Sequence, residues 1–179
     1  NFRVKLKKIN TMLAERFAHH PALLMWHISN EMGGECFCPL CQEKFRDYLR
    51  KKFDNDIDNL NKAWWTTFWS HKYSCFEEIE PPFANGSIDI MGLNLEWKRF
   101  TTQNMIDCMK SEISVVKSFN PDIPVTANLM NMYNGLDYRA LAKEIDVVSW
   151  DSYPRFHNDW ESFEDTMREF SFSHAVFRK

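Results

Sequence analysis

The residues best placed to do chemistry are Asn30 and Glu31, an amide beside a carboxylate after the apolar run Leu23, Leu24, Met25 and Trp26. Such a run predicts a buried strand that delivers the pair to its C-terminal end, where parallel α/β architectures bind ligands. A carboxyl group held there beside Trp26 and His27 would have its pKa raised by desolvation, which makes Glu31 a candidate general acid near neutral pH. The competing reading is a solvated or salt-bridged loop glutamate. Asn30 can donate its amide to a substrate hydroxyl or cap the turn, and His27 reads as a packed structural histidine.

Cys36, Cys38 and Cys41 follow at once in a C-x-C-x-x-C run, the spacing that lets one turn wrap a tetrahedral zinc ion. A fourth ligand is needed, with Cys75 and Cys108 as candidates inside the chain; free or redox-active thiols are the alternative. A second carboxylate is also needed if Glu31 takes part in glycoside hydrolysis with retention, since that chemistry uses two carboxyl groups roughly 5 to 5.5 Å apart. Asp151 ends an apolar run as Glu31 does, and Glu77, Glu78 and Glu80 lie in a long loop. Trp64, Trp65, Phe68, Trp69 and Tyr73 crowd that same region, either as core or as a sugar-stacking surface.

The elements that must position these groups alternate. Helical periodicity covers residues 4–18, with Val4, Ile9, Met12, Leu13 and Phe17 as the apolar positions. A strand over Leu23 to Ile28, buried on both faces, leads through Gly33-Gly34 into the cysteine loop. Pro39 suits the first turn of a helix reaching Phe53, and a shorter helix runs from Ile57 to Trp64. A long aromatic connection from 65 to 88 precedes a helix over Leu93 to Phe119. A strand Val125 to Asn128, a helix Tyr138 to Lys143, a strand Val147 to Trp150 and a helical stretch Trp160 to Phe170 follow. The polar residues Asn30, Glu31, Asn128 and Asp151 thus fall at one rim of a parallel sheet. Three strands cannot close a barrel, so an α/β chain of 179 residues, short of the roughly 250 of a closed (β/α)₈ barrel, reads as a sector of one.

A net charge of -3 without a basic stripe gives no support to nucleic-acid binding. No apolar run is long enough to cross a membrane. Five cysteines with three crowded together do not resemble a secreted disulfide scaffold and point to a cytoplasmic metal site or reduced core thiols.

Six stretches, taken together and in order, resemble the β-galactosidases of glycoside hydrolase family 42. They are Trp26-His27-Ile28-Ser29-Asn30-Glu31, the Cys36/Cys38/Cys41 cluster, residues 63–70, Glu78-Ile79 with Pro81-Pro82, residues 124–128, and residues 147–154. The resemblance implies a catalytic (β/α)₈ TIM barrel, of which residues 1–179 supply about strands 4 to 6 with their helices, in an enzyme commonly assembled as a homotrimer. It implies hydrolysis of terminal β-D-galactosides with retention, with Glu31 as acid/base, Asn30 bonded to the sugar and Trp69 lining the galactose site. It makes Cys36, Cys38 and Cys41 three of four structural zinc ligands, the fourth upstream of Asn1, and puts the nucleophilic glutamate beyond Lys179. Asp151 then becomes a rim residue. Two departures stand out: Trp65 replaces the usual glycine, and Asp54-Asn55-Asp56 replaces a shorter glycine turn. A non-catalytic carbohydrate-binding or zinc-stabilised module, and a glycosidase for a related sugar such as an arabinoside, are the alternatives.

Overall fold

In the computed structural model the described residues are 2–82, 89–156 and 158–178, with the side chain of Trp69 excepted. Their elements run α1 (Phe2–Phe17), β1 (Trp26–Asn30), α2 (Pro39–Lys52), α3 (Ile57–Trp64), α4 (Met91–Phe119), β2 (Val125–Leu129), α5 (Tyr138–Ala142), β3 (Val147–Trp150) and α6 (Phe163–Phe177). Two short 3₁₀ turns, Thr66–Trp69 and Phe76–Glu78, lie in the aromatic connection. The chain divides into two compact units, Asn1–Gly33 with Asn104–Lys179, and Gly34–Gln103.

The first unit holds a parallel sheet in the order β1-β2-β3. β2 is central, and Val125, Ala127 and Leu129 are buried against Ile28, Ile106, Met109, Val116, Leu141 and Ile145. Parallel neighbours need crossover connections, here supplied by the helices between β1 and β2 and by α5 between β2 and β3. Helices alternating with parallel strands are the arrangement of a portion of a (β/α)₈ barrel.

β1 is shorter than expected and buries only Ile28 fully; Leu24 is 82% exposed. Pairing begins at Trp26, whose N–H donates to Pro124 O at 2.9 Å, so the three apolar residues before it are not strand. α1 also corrects its expected face. Val4, Ile9, Met12, Leu13 and Phe17 are exposed, and the inward positions include Ala14 and Ala18, both fully or nearly fully buried. Small residues let the helix approach closely, and polar side chains fasten it: Arg3 to Asn104 Oδ1 at 2.9 Å and Asn10 to Glu112 Oε2 at 3.1 Å. α6 runs unbroken through residues 171–177, beyond the expected limit at Phe170, with Ser162 capping its start by accepting from Asp165 N at 3.1 Å.

The second unit is built on aromatics. Phe45, Leu49, Leu60, Trp64, Leu93, Trp97 and Phe100 form its core, with Phe45 edge-on to Trp97 at 4.8 Å. Pro39 occupies the first turn of α2, as its missing N–H allows. Glu96 is buried but satisfied by Tyr48 (2.8 Å), Lys52 (2.7 Å) and Arg99 (2.5 Å). Burial alone would raise its pKa, yet those donors outweigh it and hold the carboxyl below the usual range.

The aromatic connection is not shapeless. Asn61, buried within α3, donates to Tyr73 O (2.8 Å) and accepts from Tyr73 N (2.9 Å) and Thr66 Oγ1 (2.7 Å). One amide therefore ties both ends of the segment that contains the first 3₁₀ turn. Both sequence departures fall on left-handed backbone: Trp65 has φ 53°, Asp54 54° and Asn55 57°. Glycine adopts that conformation freely, whereas a side chain costs about 1–2 kcal/mol there.

Candidate active site

Glu31 stands just past β1, where the strand leaves the sheet through an irregular step. Trp26 pairs with Val125 and His27 with Thr126, but the next pairing is Asn30 with Asn128. β1 thus uses three steps where β2 uses two, which is a β-bulge. Ser29 (φ 34°) and Glu31 (φ 44°) are both left-handed around it. The Glu31 N–H donates to Asn128 Oδ1 at 3.2 Å, and Asn128 Nδ2 donates to Asp151 Oδ1 at 2.9 Å. The strand ends of β1, β2 and β3 are in this way joined through the side chain of the middle one.

Glu31 and Asp151 line the same cleft, and the two carboxyls are shifted in opposite directions. Hydrogen bonding with Asp151 first, then the Asp151 charge, then desolvation raise the Glu31 pKa; Asp151 is lowered by Glu31, by Asn128 and by His27. Two adjacent carboxylates resist double ionisation, so Glu31 keeps its proton to higher pH than an isolated glutamate does. The expected direction of the shift holds but its cause differs, because Glu31 is exposed and the neighbouring carboxylate, not an aromatic enclosure, dominates.

His27, expected to be packed, is exposed and lies 3.2 Å from both the backbone N and Oδ1 of Asn128, as acceptor or donor according to its tautomer. Asn30 is exposed, and its side chain makes no hydrogen bond among the described residues. Glu31, Met130, Asn131, Asp151, Tyr153 and Arg155 line a cleft of about 360 Å³, within the size range of small-ligand pockets. A larger cavity of about 690 Å³, lined by Leu129, Tyr138, Val148 and Phe177 among others, contains neither carboxylate of the pair. Asp151 and Asn128 carry more of the geometry than their sequence setting foretold. Glu77 and Glu78 are otherwise engaged, with Arg50 at 2.6 Å and with Ser74 N at 2.7 Å. The Trp69 side chain lies outside the described residues.

In the second unit, the Sγ atoms of Cys36, Cys38 and Cys41 lie within 4.8 Å of one another. Sulfurs bound at about 2.3 Å to one tetrahedral zinc stand roughly 3.8 Å apart, so small side-chain shifts bring these three to a common ion. Phe37 anchors the loop by stacking on Trp97 at 5.2 Å, and Gln42 Nε2 donates to Phe37 O at 2.7 Å. The Cys41 N–H and the neighbouring thiols hold Cys38 below the ordinary thiol range, while burial and the same neighbours push Cys41 up to about 12. A bound cation would stabilise all three as thiolates. Neither Cys75 nor Cys108 joins the cluster among the described residues. Among those residues, no helix is long and apolar enough to cross a membrane.

The glycoside hydrolase family 42 model, described as β-galactosidase, matches residues 1–179. β-Galactosidase GanA of Bacillus subtilis is 49% identical over 99% of this chain, which covers 27% of GanA. β-Galactosidase Pbg of Clostridium perfringens is 53% identical over 88% of this chain and 23% of its own. Gan42B, a solved GH42 β-galactosidase from G. stearothermophilus, superposes with a TM-score of 0.93 at 50% identity, over 99% of this chain and 27% of that one. The chain spans about a quarter of the length of the relatives it matches. Matched along its whole length and superposed strand for strand and helix for helix at that TM-score, the chain belongs to the glycoside hydrolase family 42 β-galactosidases.

Proposed function

We propose that the full-length protein carrying this chain hydrolyses terminal non-reducing β-D-galactosides with retention of configuration. The observation that carries the reading is Glu31, a carboxyl at a parallel strand end that lines a cleft with Asp151, whose neighbouring carboxylate raises its pKa. In the first step Glu31 gives its proton to the glycosidic oxygen as the bond to C1 breaks, and a glutamate expected after Lys179 forms the new bond to C1. In the second, Glu31 as carboxylate takes a proton from water as the water oxygen displaces that glutamate. Both substitutions invert C1, so the product retains the β configuration.

Asn30, with a free amide at the rim, would bind the sugar 2-hydroxyl, and Trp69 would offer its ring to the apolar face of galactose. Cys36, Cys38 and Cys41, with a fourth ligand expected before Asn1, would hold a structural zinc. Its chemistry there is to cross-link the loop, with no part in bond cleavage. A cluster that must stay reduced supports a cytoplasmic location, and the family resemblance supports a homotrimer. The test is proton NMR of early product formed from lactose by the full-length protein. β-Galactose appearing before mutarotation is expected, with loss of turnover in Glu31→Gln; α-galactose as first product would overturn the proposal.

A further inference from the structure

Glu112, on α4, is a nearly fully buried carboxylate at 2% exposure, and the mechanism above leaves it unused. One oxygen accepts from Asn10 Nδ2 of α1 at 3.1 Å, and the other from the Ser29 hydroxyl. Burying a carboxylate is unfavourable unless donors satisfy it, and both donors here are neutral. A side chain that served only to pack this position would be apolar.

What Glu112 grips is the bulge itself. Ser29 is one of the two β1 residues, with Ile28, that stand against Ala127 alone in the bulge, and its φ of 34° is a conformation side chains avoid. Strained residues persist where surrounding bonds over-determine them, and bulges next to active sites re-aim side chains. Because side chains alternate along a strand, removing the extra step would turn the following positions to the opposite face. Asn30 and Glu31 are those positions.

We propose that Glu112 is a positioning residue: through Ser29, and braced on α1 by Asn10, it locks the β1 bulge that aims Glu31 at the leaving-group oxygen. This rests on the reading of Glu31 as the acid. A misaimed acid harms substrates that need protonation and spares those that do not, since a 2,4-dinitrophenolate departs without a proton. The readout is therefore kcat/KM of the full-length protein on lactose and on 2,4-dinitrophenyl β-galactoside, which for both reports only the step up to the first bond cleavage. The ratio of the two is independent of how much of a variant has folded.

Ser29→Ala and Glu112→Ala are each expected to lower kcat/KM on lactose roughly tenfold or more, with the dinitrophenyl substrate within about twofold of wild type. The double variant should be no worse than the poorer single, and Glu112→Gln, which can still accept from Ser29, should recover most of the loss. Glu31→Gln is measured alongside. If it discriminates between the substrates while Ser29→Ala and Glu112→Ala do not, the positioning role is overturned and the acid stands. If Glu31→Gln does not discriminate either, the acid reading falls and the positioning role with it. Equal loss on both substrates in Ser29→Ala and Glu112→Ala would make the buried carboxylate a structural brace only.

Discussion

Asn61→Ala is expected to loosen the connection that leads from α3 through Trp69 to Tyr73. The substitution deletes three hydrogen bonds at once: to Tyr73 O, from Tyr73 N and from Thr66 Oγ1, at 2.8, 2.9 and 2.7 Å. Each is worth about 1 kcal/mol net, and the Thr66 hydroxyl, 1% exposed, keeps only a long contact to Asn61 O. The sum is about 2–3 kcal/mol of local stability. Converted at about 1.4 kcal/mol per tenfold, that is roughly 30- to 150-fold faster exchange of the Tyr73 amide. Hydrogen exchange by mass spectrometry on the full-length protein reads this directly, in a peptide spanning residues 66–76 compared with one in α2. An acceleration under about threefold at Tyr73 with α2 unchanged would refute the reasoning, because it would mean that the turns hold the segment without the amide.

Other outcomes follow from particular residues. Replacing Asp151 by Asn removes the charge and the carboxylate acceptor that raise the Glu31 pKa; since the first step needs protonated Glu31 and fails as pH rises through that pKa, the alkaline limb of the kcat/KM profile should move to lower pH. An unmoved limb would disconnect the pair. Trp65 is 67% exposed at φ 53°, so Trp65→Gly should be more stable than Trp65→Ala by about 1 kcal/mol in thermal unfolding, both having lost the ring but only one the strain. Elemental analysis should find about one zinc per full-length chain. Its removal by chelation should lower the melting temperature and expose the Cys36, Cys38 and Cys41 thiols to titration, whereas an unchanged thiol count would leave the cluster metal-free.

Local patterns carried the sequence reading well. The C-x-C-x-x-C spacing needs no long-range fold to bring its sulfurs together, and the helices expected up to Phe53 and over Leu93 to Phe119 form within a residue or two of those bounds. The α1 face misled because periodicity counts apolar residues, while the helix docks through Ala14, Ala18 and the polar reach of Arg3 and Asn10. The bulge escaped detection because its left-handed residues are Ser29 and Glu31, types that seldom take positive φ, and its register is visible only against β2. The Glu31–Asp151 pair joins strand ends 120 positions apart, so its proton sharing belongs to the sheet and not to either motif. Of the expected second carboxylates, Asp151 lines the cleft beside Glu31 and raises its pKa, and Glu77 is paired with Arg50.

The central claim is that Glu31 is the acid/base, and azide rescue tests it most directly. In the full-length protein, Glu31→Gly acting on 2,4-dinitrophenyl β-galactoside should still form the galactosyl-enzyme but release it slowly. Added azide, needing no general base, should restore turnover and yield β-galactosyl azide. Turnover at the wild-type rate without azide would contradict the account, and α-galactosyl azide as product would mark Glu31 as the nucleophile instead.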